Sequence, residues 1–230
     1  GKNTISRELI GMAAILAVFA FGFIIWLAAK PNSIKEPAFS SFTGPDGAEL
    51  PSGVDADGRP TLGSPDAPVT FYEFADFQCG HCKLYTTDHA AGVKEAFVAT
   101  GQAKLVFVNA PFGGAESEAA AKAALCAGQQ GKFWAMHDWL FHNQAVTRNQ
   151  GGFSQERLEE MAGKVGLDLN SFKACQSDPS LQDQLDADEK LLASKGVDST
   201  PTFLVGEAKV VGADGEGLKK ALQEAVDAAK

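Results

Sequence analysis

The stretch FADFQCGHCKLY, residues 74–85, decides how the chain is read. Cys79 and Cys82 stand two residues apart, directly behind PVTFYEFA (68–75), a β-branched and aromatic run that reads as a buried strand. Behind them, KLYTTDHAAGVKEAFVAT (83–100) reads as a helix with Leu84, Val93, Phe97 and Val98 on its apolar face. Such a pair can be a metal clip, a staple or a redox centre. A structural zinc site takes four ligands, usually two cysteine pairs or one pair with two histidines. Here no second CxxC exists, His81 lies inside the motif, and His89, His137 and His142 lack the paired spacing. A disulfide over so short a gap closes too small a loop to stabilise much. The redox use has positive support. Cys79 falls at a helix N-terminus, where unpaired N–H groups and the macrodipole favour a thiolate, and a protonated His81 adds a second favourable charge. A lower thiol pKa makes Cys79 a better leaving group and the couple more oxidising. Cys82, one turn inside the helix, is expected to be the buried resolving thiol.

Outward from this stretch, KLVFVNAPF (104–112) reads as a second strand and PTFLVGEAKVV (201–211) as a hairpin centred on Gly206-Glu207. Between them lies a helical stretch from about Glu116 to Lys195, with Ser154 and either Asp168 or Asn170 available as caps. An amphipathic helix ends near Lys230. Strand, helix, strand, helical block, strand pair, helix is an α/β order in which a block at about 114–196 interrupts the fold. The cluster Phe133, Trp134, Met136, Trp139, Leu140 and Phe141 reads as core, and His137 and His142 as ordinary helix residues.

The N-terminus has a different character. Ile10 to Ala29 is an uncharged run of twenty residues, which as a helix spans roughly 30 Å, the thickness of a bilayer's hydrocarbon core. A cleaved signal peptide has a shorter apolar region and small residues at −3 and −1, where Leu27 or Trp26 would fit poorly. An uncleaved anchor over 1–30 is expected. Lys2 and Arg7 before the run balance Lys30 and Lys35 after it, so charge does not orient it. Residues 31–60 hold five prolines and four glycines, so 31–59 is expected to be a linker with a reach of about 30 Å, the alternative being an extended arm on the domain surface. The folded domain is then 60–230. A net charge of −9 without any basic stripe argues against a nucleic-acid partner.

Three separated motifs carry a family resemblance: LGSPDAPVTFYEFADFQCGHC (62–82), AALCAGQQGKFWAMHDWLFHNQ (123–144) and VDSTPTFLVG (197–206). In this order they resemble the thioredoxin-fold thiol:disulfide oxidoreductases, and within them the DsbA-like group, over about residues 60–230. The resemblance implies a thioredoxin fold with an inserted helical domain. It makes Cys79 the attacking, exposed sulfur and Cys82 its partner. Pro201 would be the cis-proline beside the disulfide, presenting backbone groups to an extended substrate, and Thr200 would tune the sulfurs through its hydroxyl. Glu73 would be the buried acid that takes the Cys82 proton; its other reading is an acid on an exposed strand face. The dipeptide between the cysteines is Gly-His, as in protein disulfide isomerase, where DsbA has Pro-His. A potential near about −180 mV is therefore expected in place of about −120 mV.

In an oxidising compartment the remaining Cys126 and Cys175 complete an even set of four. A bond between them would stabilise by roughly 4 kcal/mol in the chain-entropy model; the alternative is two buried reduced thiols. Together these features describe a membrane-anchored dithiol–disulfide oxidase outside the cytoplasm, acting on unfolded or reduced proteins. By family resemblance a quinone-linked membrane partner would reoxidise it. A monomer is expected, and no metal or organic cofactor. Two rivals remain. A reductase or isomerase on the same fold differs only in potential and redox partner, although an isomerase would want a dimerisation region that is not evident. A non-catalytic thioredoxin-fold module binding clients or metal is opposed by the intact CGHC and Thr200-Pro201.

Overall fold

Alternation along VTFYEFA sets the centre of the molecule. In the computed structural model this run is strand β3 (Val69–Ala75), with Phe71, Glu73 and Ala75 on one face and Thr70, Tyr72 and Phe74 on the other. Leu16, residues 33–40 and residues 42–230 are described. The chain divides into Gly1–Ser33 and Ile34–Lys230. The expected membrane anchor, except for Leu16, lies outside the described residues. Among the described residues no helix is long and apolar enough to cross a membrane.

The remaining strands are β1 (Ser52–Val54), β2 (Pro60–Leu62), β4 (Ala103–Asn109), β5 (Thr202–Val205) and β6 (Ala208–Val211). They form one sheet in the order β1-β2-β4-β3-β5-β6. Only β3 and β4 run parallel, registered from Val69 opposite Ala103 to Ala75 opposite Asn109. Parallel pairing needs a crossover, and the chain between them supplies it as α1 (Gly80–Asp88) and α2 (Ala90–Val93), which runs on as one π-helical turn, Lys94–Val98. On the far side β5 pairs antiparallel with β3, Phe74 opposite Thr202 and Glu73 opposite Phe203. The start of β5 therefore lies beside the end of β3, where the cysteines follow.

Between β4 and β5 come α3 (Ala115–Gln129), α4 (Phe133–His142), α5 (Gln155–Val165), α6 (Leu169–Gln176) and α7 (Ser180–Ser194); α8 (Gly215–Ala228) closes the chain. Phe71, Leu105, Phe107 and Phe203 pack with α1, α2, α8 and the inserted helices in the main core. Phe74 and Val108 pack on the opposite face with Leu192 and Val197. Asp168 caps α6 by accepting a hydrogen bond from Ser171 N, whereas Asn170 lies inside that helix. Ser154 sits at the N-cap of α5 without a side-chain bond. Cys126 of α3 and Cys175 of α6 are joined as a disulfide.

Two expectations give way. Residues 83–100 are not one straight helix with Leu84 inside. The stripe through Cys82 continues through Tyr85 and Thr86, which leaves Leu84 43% exposed. At His89 the backbone leaves helical geometry, and its side chain lies so close to Gly215 that a Cβ there would meet it at 2.7 Å. The π turn then brings Val93, Phe97 and Val98 back to the core. Nor do residues 34–59 form a free coil. Ile34, Phe42 and Leu50 pack on the main core. Lys35 and Asn143 exchange two 2.8 Å hydrogen bonds through the Lys35 backbone. Further on, β1 pairs with β2, and the buried Arg59 binds Asp188 of α7 at 2.8 Å. Widely spaced apolar anchors fasten this arm, and they carry no period for a sequence reading to find.

Candidate active site

Strand β3 ends in a turn built by Asp76. Its carboxylate accepts from Gln78 N at 2.7 Å, Ser117 Oγ at 2.6 Å and Gly113 N at 2.6 Å. Its carbonyl accepts from Cys79 N at 2.9 Å. This turn delivers Cys79 to the N-cap of α1 in an extended conformation, one residue before the first helical position. There the first N–H groups of the helix have no backbone partner and face the sulfur. The Thr200–Pro201 peptide is cis and approaches from the start of β5. The Cys79 thiol donates to the Thr200 carbonyl at 3.3 Å.

The two thiols differ sharply in environment. Cys79 is pulled down to about 5, first by the hydrogen bond from the Cys82 thiol, then by the Thr200 hydroxyl and the backbone N–H groups of Cys82 and His81, all working against burial. Cys82 is pushed up, mainly by burial and then by its bond to Cys79 and that sulfur's charge. His81 acts on Cys79 through its N–H, while its side chain is exposed. Cys79, expected to be the exposed sulfur, is only 5% exposed, and Cys82 is fully buried. The Thr200 carbonyl covers Cys79 on one side, and on another Gln144 Nε2 donates to the Phe77 and Cys79 carbonyls at 2.8 and 3.0 Å.

On the core face of β3 lies Glu73, 2% exposed and pushed up to about 7 by burial, with the charge of Lys94 opposing. Lys94, on the π turn, is itself buried and pulled down by burial, against the charges of Asp138 and Glu73. Its ammonium stands 5.3 Å from the centre of the Trp134 ring. Asp138 is hydrogen-bonded to His137 Nδ1 at 2.8 Å. His137 is thus no ordinary helix residue. It is buried, pulled down by that burial, and set edge-on against Phe107 and Phe141. His142 is only half-buried, and its carbonyl accepts from Lys83 of α1.

Sequence reasoning missed several groups that hold this site. Lys94 carried a signal: it falls between Val93 and Phe97 on a buried face. The loop between α4 and α5 carried none, because its bonds run to residues distant in sequence. Arg148 Nε donates to the Gln78 carbonyl at 3.3 Å, and Asn149 N donates to Gln78 Oε1 at 2.8 Å. Asn149 has a φ of 54°, a left-handed conformation that asparagine tolerates better than most residues. Among the described residues no group of His, Cys, Asp and Glu is arranged to hold a metal.

A thiol pair at a helix N-terminus, faced by a cis-proline peptide beside the β4–β3–β5 core of the sheet, defines a thiol:disulfide oxidoreductase of thioredoxin fold. The comparisons agree. The thioredoxin family model matches residues 55–228, and the chain belongs to that family. Disulfide bond formation protein D of Bacillus subtilis (strain 168) is 28% identical over 179 residues, covering 73% of this chain and 77% of that protein. The crystal structure of oxidised BdbD from Bacillus subtilis superposes with a TM-score of 0.70 at 27% identity, over 78% of this chain and all of that one. The thiol-disulfide exchange protein alpha-DsbA2 from Wolbachia pipientis gives 0.62 at 26% identity, over 72% of this chain and 86% of its own. The chain is a DsbA-like protein disulfide oxidoreductase.

Proposed function

We infer that this protein introduces disulfide bonds into secreted or envelope proteins through Cys79 and Cys82. A substrate thiolate attacks Cys79 Sγ of the oxidised pair. The Cys79–Cys82 bond breaks, and Cys82 leaves as a thiolate that takes a proton from the Glu73 carboxyl group. A second substrate thiolate then attacks the substrate sulfur of the mixed disulfide. A disulfide forms in the substrate and Cys79 departs as a thiolate, so two electrons pass from substrate to enzyme. Thr200 and the helix N–H groups hold that thiolate, Pro201 seats the substrate backbone, and the His81 ring lies at the exposed rim. An oxidant must then take the two electrons; a quinone-linked membrane partner fits a chain anchored by residues 1–30.

One observation carries the oxidising direction: Cys79 is drawn down to about 5 while its partner is pushed up. A stabilised thiolate favours the reduced pair, and therefore makes the oxidised pair a stronger oxidant. The Cys126–Cys175 bond supports a place outside the cytoplasm, where such bonds persist. The domain works there as a monomer, with Ile34–Lys230 as its folded unit and about 114–196 as its insertion. Titrating the Cys79–Cys82 couple against glutathione buffers tests this. A potential above about −200 mV is expected; a value near about −270 mV would make the protein a reductase.

A further inference from the structure

Four buried side-chain atoms have no partner among the described residues: Glu73 Oε1, the Tyr85 hydroxyl, Thr86 Oγ1 and Asn109 Oδ1; the first two belong to β3 and to α1, which carries the cysteines. A buried polar group without a partner is costly, so a pair of them, one on the sheet and one on the helix packed against it, calls for an explanation. Their placement is specific. Tyr85 follows Cys82 by three residues on α1, and both side chains are buried on the same helix face. The Tyr85 ring packs on Phe203, centre to centre 4.5 Å. Phe203 is the residue directly opposite Glu73 in the β3–β5 register, so the two side chains leave the same side of the sheet. Tyr85 and Glu73 thus both meet Phe203, one from the helix that carries Cys82 and the other from the sheet.

We propose that the Tyr85 hydroxyl is the hydrogen-bond partner of the Glu73 carboxyl group, holding it toward Cys82 while the proton passes between them. The proposal rests on the dithiol reading above and adds a positioning residue to it. A phenol suits the task because it donates to a carboxylate and accepts from a carboxylic acid. It can therefore stay bonded to Glu73 through the whole exchange. The bond would form directly on rotation of the carboxylate, or through one bridging water. Thr86 Oγ1, buried on the same helix and also without a partner, is the one rival among the described residues, whereas the Phe203 contact and the Glu73 charge tie Tyr85 to the acid; the remaining groups around Glu73 cannot take this part. Its strand neighbours Phe107 and Phe203 have no polar side-chain atom. Helix α8 brings Leu218, Leu222 and Val226. Lys94 acts on Glu73 by charge and is itself shared with Asp138, which pairs with His137 on α4. The charge of Glu73 also acts on Tyr85, which together with burial holds the phenol well above its usual range and fully protonated.

In the step to be measured, the reduced full chain reacts with a chromogenic aryl disulfide. The Cys79 thiolate attacks one sulfur, an aryl thiolate leaves, and Cys79 is joined to the remaining aryl sulfur. Cys82 then gives its proton to the Glu73 carboxylate and attacks Cys79. The Cys79–Cys82 bond forms as the Cys79–aryl bond breaks, and a second aryl thiolate leaves. The enzyme is oxidised by two electrons and the reagent reduced by two. The two releases are separate optical phases, the first reporting Cys79 and the second Cys82 with its base.

The test follows both phases against pH in the wild type, Tyr85→Phe, Glu73→Gln and the double variant. Removing a hydrogen bond to the charged form raises a carboxyl pKa, here by about one to two units. In Tyr85→Phe the rise of the second phase should therefore move up by that amount, slowing it about tenfold or more at pH 6, with the first phase unchanged. In the Glu73→Gln background Tyr85→Phe should change nothing further. An unshifted second phase in Tyr85→Phe, or a shift that survives in the Glu73→Gln background, overturns the proposal. A wild type that releases no second equivalent overturns the dithiol reading itself and this proposal with it. A second measurement avoids the risk of a misfolded variant. In the reduced wild type, the carbon-13 shift of the Tyr85 phenolic carbon should titrate with the Glu73 carboxyl carbon, and a flat Tyr85 response overturns the bond.

Discussion

The reduced protein should have a stability–pH curve shaped by two opposed groups. Cys79 falls from the usual 9.0 to about 5 on folding. A depressed group contributes stability that is complete above its unfolded pKa and is lost as pH drops through its folded one. Between about pH 5 and pH 9, Cys79 thus adds roughly 1.4 kcal/mol per pH unit. Glu73 goes the other way, from 4.5 to about 7. Its contribution is complete below 4.5 and is lost as pH rises through 7, at the same slope. From about pH 5 to 7 the two slopes cancel, and from 7 to 9 Cys79 acts alone, adding something near 3 kcal/mol. Removing either group exposes the other. Cys79→Ser, measured reduced, should lose about 3 kcal/mol between pH 5 and 7 and then level off, whereas Glu73→Gln should gain steadily from 5 to 9. Other titrating groups are common to all three proteins and drop out of the differences. Urea unfolding of the Ile34–Lys230 unit under reducing agent, at half-unit pH steps, measures the curves. If reduced wild type and Cys79→Ser run parallel from pH 5 to 8.5, the stabilised thiolate does not exist.

Three further outcomes follow from the geometry. Thr200→Val removes a hydroxyl that favours the Cys79 thiolate and should raise that thiol's pKa by about one unit, read from thiolate absorbance against pH; an unchanged midpoint would assign the effect to the Cys82 thiol and the helix N–H groups. Cys126→Ala with Cys175→Ala opens a bond that closes a separation of 49 residues and should cost about 4 kcal/mol in urea unfolding; a loss under about 1 kcal/mol would show that the packed helices need no tie. Asn143→Ala removes both bonds to the Lys35 backbone, so residues 33–40 should be nicked faster by a nonspecific protease while the core stays resistant; equal rates would mean that Ile34 and Phe42 hold the arm without it.

The parts of the fold legible in the sequence were those written in local period. The run VTFYEFA before the cysteines, LVFV in β4 and the hairpin about Gly206 were readable because strands announce themselves within a few residues. The helical insertion was readable for the same reason. The arm from Ile34 to Arg59 was not: its prolines and glycines suit a coil, and its order comes from Asn143 and Asp188, more than a hundred residues away. The break at His89 was hidden in the same manner, since it answers to Gly215. At the site, cysteines at a strand-to-helix junction are a local pattern. The clasp of Gln144, Arg148 and Asn149 on residues 77–79 is a product of tertiary structure, and polar loop residues carry no mark of it.

Burial of Glu73 beneath the helix has a chemical consequence that an exposed carboxyl would lack. With an ordinary value of 4.5, a carboxyl group at pH 7 carries its proton about one time in three hundred. It could accept the Cys82 proton but would almost never have one to return. At about 7 the two forms are equally populated, and the same group can donate when Cys82 leaves and accept when Cys82 attacks. Cys79 needs no such help, because its thiolate is already the stable form at that pH. On the proposed mechanism strand β3 separates the two tasks, since it holds Glu73 on its core side, six residues before Cys79. Lys94 keeps the acid within that useful range by opposing the burial that raises it. Substituting Lys94 by methionine should therefore push Glu73 upward and slow only the step in which Cys82 loses its proton. If Lys94→Met instead slowed the first attack by Cys79, the division of labour between the two thiols would be wrong.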